Sequence, residues 1–243
     1  MTASYPDPCA TQQNQLLVAL PQDDMDRWQG RLEMVELSLN QILYTAGRAP
    51  EYVYYPTTAI VSLMSMTVDG ATAEVALVGN DGVVGISSLL GADTAATDAV
   101  VQSAGRAYRI SAQFVKAEIE QSCGVMKVVM RYAQAVLGQM AQTAVCNRYH
   151  SIDQQLCRRL LLGLDRLPTD ELDMTQELAA NLLGVRREGV TVAASRLREA
   201  GLIRYRRGHI VVLDRERLEQ RACECYAGAK KAYHRLLPGA LAA

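Results

Sequence analysis

The sequence predicts an α+β fold: an N-terminal β-roll or small sandwich, one long helix, and a C-terminal winged helix-turn-helix. Three observations carry this. Short stretches rich in Val, Ile, Tyr and Thr, broken by Gly, Pro, Asn and Asp, run from about Leu37 to Ile110. Apolar residues then recur in alternating steps of four and three from Met126 to Ala144. Finally, two helical patterns flank Gly184 and lead into a hairpin pattern.

Taken in order, residues 1–15 read as disordered, and residues 16–36 as helical, with Leu16, Leu17, Leu20, Met25, Trp28, Leu32 and Val35 at helical spacing. Ile42–Tyr44, Tyr52–Tyr55, Ile60–Val68, Glu74–Val78 and Ala107–Ile110 read as strands. Gly47, Asp69-Gly70 and Asn80-Asp81-Gly82 read as turns between them. Ala112–Gln121 is a short helix. The long helix covers Gly124–Tyr149, and its seam is Met126, Met130, Ala133, Leu137, Met140 and Ala144. Such a seam packs either on its own domain or on a second copy of the chain. A further helix at 153–166 stops before Pro168.

Composition narrows the class. The 243 residues are 49% apolar, enough for an ordinary buried core. No run of about 18 uncharged apolar residues is present, so no membrane span is expected. The polar start lacks a basic segment followed by an apolar one, which leads to the expectation of a cytoplasmic protein. The net charge of −1 is unevenly spread. Residues 1–147 hold eight Lys+Arg against fourteen Asp+Glu, and residues 148–221 hold fourteen against eleven. Only the second half suits a polyanion. The six cysteines form no C-x-x-C pair, and the reading is of small buried thiols with no metal site.

The segment Leu172–Leu213 is the informative one. Thr175 suits the N-cap of a helix over Gln176–Leu183, with Glu177 favourable in the first turn. Gly184 supplies a left-handed turn, and a second helix runs from Arg186 to about Ala200. It opens with Arg186, Arg187 and Glu188. Cations there oppose the helix dipole, so a polyanion explains them better than helix stability does. In this motif the start of the second helix enters the major groove, where Arg pairs with guanine and Glu with cytosine. Arg196 and Arg198 either reach phosphates or are plain surface charge. Arg204, Arg206 and Arg207 cluster at a hairpin tip, a wing suited to the sugar-phosphate backbone. His209 reads as a wing surface residue, since no second metal ligand lies at a sensible spacing.

The order of parts resembles the Crp/Fnr regulators over about residues 16–220. The residues that carry the resemblance are Leu178-Ala179, Leu183-Gly184-Val185-Arg186-Arg187-Glu188, Val190, Leu197 and Gly201-Leu202-Ile203. Leu43-Tyr44-Thr45-Ala46-Gly47 and Glu51-Tyr52-Val53-Tyr54-Tyr55-Pro56 are similar to the family's β-roll. The resemblance implies a cyclic-nucleotide-binding-like double-stranded β-helix as sensor (16–123), a dimerisation helix (124–150), a DNA-binding domain (151–221) and a tail (222–243). It also implies double-stranded DNA, a second copy of the chain, RNA polymerase and a small-molecule effector as partners. Arg187 and Glu188 fall on the family's base-reading pair. Val192 stands where the family has a further arginine, and Gly189 where it has Ser or Thr.

The effector is left unknown. Members that bind cyclic AMP use a Gly-Glu segment for the ribose and an Arg for the phosphate. Here Gly85 is followed by Ile86, and the stretch from Asp93 to Val100 has carboxylates and no Arg. A phosphate beside Asp98 without a cation is unfavourable, so the usual cyclic AMP mode is not expected. Only Cys9 lies where the family's iron–sulfur cysteines lie, and the three histidines fall outside the roll. A thiol switch at Cys123, Cys146 or Cys157 stays open, as does an apolar ligand between the roll and the long helix. The alternative function is a ligand-binding or thiol-sensing module with a vestigial DNA-binding part. An enzyme is not expected, since no phosphate loop, metal spacing or nucleophile elbow is present.

Overall fold

The computed structural model describes residues 13–167, 169–206 and 208–236. The expected disorder of residues 1–15 thus falls largely outside the described residues, as does Pro168, while the helix expected to stop before it ends at Leu164. The chain forms two compact units. The first takes in the chain through Leu63, Val78–Leu137 and the stretch from Ala232. The second takes in Met64–Leu77 and Gly138–Lys231.

The first unit opens with two short helices, α1 (Gln15–Val18) and α2 (Gln22–Gln29). Asn14 anchors them. Its buried Oδ1 accepts from the N–H groups of Leu16 and Leu17 at 3.0 and 3.1 Å. Its Nδ2 donates to the carbonyls of Pro56 and Gly82 at 2.8 and 3.0 Å. One buried amide thereby fills its main hydrogen-bonding positions and ties the first turn to the roll. Trp28 of α2 is fully buried. It lies edge-on to Tyr55 and Phe114, and its Nε1 donates to Glu118 at 3.2 Å.

The expected helix over residues 16–36 stops early. Glu33–Leu37 is a strand, β1, which pairs antiparallel with Gly105–Ser111, so that Val35 lies opposite Ala107. Over five residues a helical and an extended pattern look alike, and pairing with a distant strand decided between them. The other roll strands are β2 (Ile42–Tyr44), β3 (Tyr52–Pro56), β4 (Ile60–Met66), β5 (Thr72–Val78), β6 (Asp98–Ser103) and β7 (Gly105–Ser111). They form one sheet in the order β1-β7-β3 and another in the order β2-β6-β4-β5. Val53, Tyr55, Ile60, Val61, Val101, Tyr108 and Ile110 are buried. β6 escaped the sequence reading because its carboxylate start disguises an alternating strand. A one-turn helix, α3 (Ile86–Leu89), follows Gly85, and α4 (Ala112–Gln121) occupies the expected residues.

The long helix α5 spans Cys123–Tyr149. Val125, Val128, Val129, Tyr132, Ala133 and Val136 are buried, so this face packs within the first unit. The second unit centres on α6 (Ile152–Leu164), which a capping box of Ser151 and Gln154 starts. Leu156, Leu160 and Leu161 are essentially inaccessible. After it come β8 (Glu171–Asp173), α7 (Gln176–Leu183), α8 (Arg187–Glu199), β9 (Ile203–Arg206), β10 (His209–Val212), α9 (Arg215–Arg221) and α10 (Glu224–Leu236).

Glu74, at a strand end with every appearance of a solvated position in the sequence, is buried in the second unit. Its Oε1 lies 2.7 Å from Nε of Arg159, whose N–H is not aligned for a hydrogen bond. Both side chains are under a tenth exposed, so removing either charge takes away a buried partner of the other. Glu74→Ala is expected to cost about 3–5 kcal/mol, because it strands a buried guanidinium. Replacing Glu74 and Arg159 together with Leu and Met should recover most of that loss. Urea unfolding of the three variants checks both statements.

Candidate nucleic-acid interface

The site starts from a cap. Thr175 accepts the N–H of Leu178 at 3.0 Å through Oγ1, which sets the first turn of α7. That helix buries Ala179, Ala180, Leu182 and Leu183. Gly184 then adopts φ 65°, ψ 35°, and its N–H returns to the Ala180 carbonyl. Any side chain is strained in this conformation, and a Cβ here would also sit 3.3 Å from that of Ala73. Arg186 follows as N-cap of α8 with extended backbone and no side-chain cap.

α8 buries Val190, Ala193, Ala194 and Leu197. The opposite face carries Arg187, Glu188, Thr191 and Val192, all exposed. Thr191 donates to Gln176 Oε1 at 2.7 Å and so joins α8 to α7. Gly189 has a packing reason: a Cβ there would meet Ile152 Cδ1 at 2.6 Å. The Ser or Thr that the resemblance puts there does not fit unless Ile152 moves. Val192, half exposed, occupies the place of the family's further arginine.

β8, β10 and β9 form the wing sheet, with Ile203, Ile210 and Val212 buried. Tyr205 fastens it by donating to the Met174 carbonyl at 2.9 Å. The Met174 N–H in turn reaches Gly208 at 2.6 Å. Arg204 and Arg206 project from β9 into solvent. Arg207 lies outside the described residues. His209 Nδ1 is 2.5 Å from Asp173 Oδ1, a surface pair on the wing.

The arginines sort by what holds them. Arg196 lies 3.5 Å from Asp153; the arginine side chain is 60% exposed and the carboxylate 18%, so the contact is long and only its arginine end is in solvent. Among the described residues no carboxylate pairs with Arg186, Arg187, Arg204 or Arg206. Four uncompensated cations on one helix start and one wing suit a phosphodiester ligand. The seam of α5 is also exposed in part: Met126, Met130 and Leu137 are 41%, 57% and 65% accessible, and Ala144 is exposed. Met140 is half-buried and Ala133 is buried.

In the roll, Asp98 Oδ1 accepts the Ala46 N–H at 2.7 Å. Among the described residues, no arginine of the roll is buried. Arg109 is held by Glu33 at 2.9 Å and stacks over Tyr52. Gly82 is pressed by the ring of buried Tyr132, whose hydroxyl would lie 2.1 Å from a Cβ. Cys157 is fully buried, and burial pushes its thiol up to about 12, whereas Cys123 is exposed.

Comparison with known proteins agrees with this architecture. Residues 34–122 match the cyclic nucleotide-binding domain, and residues 154–221 match the Crp-like helix-turn-helix domain. With these two domains in this order, the chain is a Crp/Fnr-like transcription regulator. No curated protein matches the chain. Among solved structures, FixK2 from Bradyrhizobium japonicum is 17% identical, with a TM-score of 0.67, over 79% of this chain and 98% of its own. TTHA1359, a transcriptional regulator of the CRP/FNR family from Thermus thermophilus, is 20% identical with a TM-score of 0.63, over 78% and 98%. The c-di-GMP responsive global regulator CLP of Xanthomonas campestris is 16% identical with a TM-score of 0.63, over 80% and 100%.

Gly184→Ala is expected to destabilise the protein by about 1–2 kcal/mol, through the left-handed backbone alone. A thermal melt followed by circular dichroism measures this. A gain in stability would mean that the turn relaxes to another conformation.

Proposed function

We propose that the protein acts as a homodimer on a two-fold DNA site, reading bases with the start of α8 and gripping the backbone with the wing. The observation that carries this reading is the exposed trio of Arg186, Arg187 and Glu188 at a helix start, where neither arginine pairs with a carboxylate among the described residues. Arg187 and Glu188 read bases, while Arg204, Arg206 and Arg207 bind phosphates. Arg196, itself exposed, joins the phosphate set by leaving its long contact with Asp153. Thr175 contributes chiefly by setting α7 through its cap.

The apolar stripe of Met126, Met130 and Leu137 supports a second copy packed along α5. Met140 and Ala144 extend the seam, whereas Ala133, expected in it, is buried within the first unit and takes no part. Two-fold symmetry then spaces the reading helices by about one DNA turn. In this reading the protein is a cytoplasmic regulator that meets RNA polymerase on the promoter, and not an enzyme.

The roll is not a cyclic AMP site of the usual kind. The absence of a buried arginine among its described residues, the engagement of Arg109 by Glu33 and the carboxylate of Asp98 support this. If the roll has an effector, it is of another chemistry.

Two measurements test the reading. With DNA selected from a random library, Arg187→Ala should cost about 1–3 kcal/mol and relax base preference, seen by fluorescence anisotropy. Arg206→Ala should weaken selected and random DNA alike and flatten the salt dependence. Identical behaviour of the two variants on both DNAs would remove α8 from base reading. Separately, titration calorimetry with cyclic AMP should give no heat of binding; stoichiometric binding would show that the roll neutralises a phosphate by other means.

A further inference from the structure

Four metal-ligating side chains meet at the C-terminal end of α5. Cys146 lies in the last turns of that helix, and His150 follows one turn later on the same side. Cys223 and Cys225 come from the junction of α9 and α10. All four donor atoms lie within 4.8 Å of one another. Cys146 Sγ is 3.5 Å from Cys223 Sγ, and Cys225 Sγ is 3.4 Å from His150 Nδ1. Zinc bonds of about 2.3 Å to sulfur and 2.0–2.1 Å to nitrogen give tetrahedral edges of about 3.5–3.8 Å. The short edges already match, and the longer ones need only a small contraction.

We propose that Cys146, His150, Cys223 and Cys225 bind one zinc ion in a closed tetrahedral Cys3His site. On binding, the three thiols lose their protons to solvent and the neutral imidazole donates its Nδ1 lone pair, so the centre carries a net charge of −1.

The surroundings fit that centre. The three cysteines are 0%, 5% and 0% exposed and form a buried cluster of their own. His150 Nε2 lies 3.2 Å from Glu224 Oε1, a carboxylate that fixes the tautomer and turns Nδ1 toward the sulfurs. Gln142 Nε2 donates to Cys225 Sγ at 2.9 Å, as suits a thiolate. Gln155 Nε2 donates to the His150 carbonyl at 2.8 Å and holds the backbone between the two α5 ligands. Buried Arg158 donates from Nη2 to Thr143 at 3.0 Å, but its Nε finds no acceptor among the described residues. Its charge acts on Cys146 and offsets the excess negative charge of the centre.

Four protein donors leave no open position, which makes the ion structural. It fastens α9 and α10 to the end of α5, within the unit that carries α8 and the wing. Four ligands converging on one point suit a single ion. A multi-iron cluster spreads its cysteines around several metal atoms. No local spacing in the sequence joins the two ligand pairs, which are 77 residues apart from Cys146 to Cys223. The C-x-C and the Cys and His four apart were the available signals.

The test is elemental analysis and native mass spectrometry of the full chain, purified without chelator. The expected result is one zinc per chain. It should be released stoichiometrically to a zinc-binding dye by a mercurial, lost in Cys225→Ser and His150→Ala, and kept in Cys157→Ala. To guard against misfolding of the first two variants, the wild-type chain is also stripped and refilled with cobalt(II). It should then show the intense visible bands of a tetrahedral thiolate site. A folded wild-type chain that takes up neither metal overturns the proposal. A mass lower by two hydrogens overturns it in favour of a Cys146–Cys223 disulfide, and iron with acid-labile sulfide overturns it in favour of a cluster.

Discussion

The left-handed turn at Gly184 is the constraint on which the DNA-facing half of the protein depends. It turns the chain at the start of the three-residue link, Gly184 to Arg186, between α7 and α8. The apolar faces of both helices can then share one core while the start of α8 stays in solvent. Two further contacts hold the arrangement: Thr191 to Gln176 across the helices, and Tyr205 from the wing to Met174. Each is a single hydrogen bond of ordinary strength, worth about 1 kcal/mol. They orient helices that the buried leucines already hold together.

Arginine plays two opposite parts in the same unit, and burial decides which. Arg158, Arg159 and Arg166 are sequestered on or beside α6, where each needs a partner to offset desolvation. Glu74 serves Arg159, and the Leu162 carbonyl accepts from Arg166. Arg186, Arg187, Arg204 and Arg206 keep their hydration and their charge. Summing charge over the segment mixes the two sets, so the modest basic excess understates how concentrated the free cations are.

The long helix also divides its surface. Val125, Val128, Val129, Val136 and Tyr132 are committed to the core of the first unit, while Met126, Met130 and Leu137 remain uncovered. The tight approach of Tyr132 to Gly82 shows how fully the space beside that loop is filled. A ligand there must displace an aromatic ring, a demand quite unlike that of a preformed phosphate cradle.

The sequence by itself determined the elements whose signals are local. The cap at Thr175, the turn at Gly184, the start of α8, the alternation of β3 and the apolar period of α5 depend on residues within a turn or two of each other. Only the tertiary structure decided features that join distant residues. Glu33–Leu37 became a strand because β7 lay beside it, not because of its own pattern. Glu74 was buried because it met Arg159, and Gly189 lies where a Cβ would press on the end of Ile152. The four ligands at the end of α5 became neighbours only once α9 and α10 folded back. Local pattern reports backbone conformation, which each residue prefers through its own sterics. Burial and pairing are properties of contacts, and contacts between distant residues exist only when the chain has closed on itself.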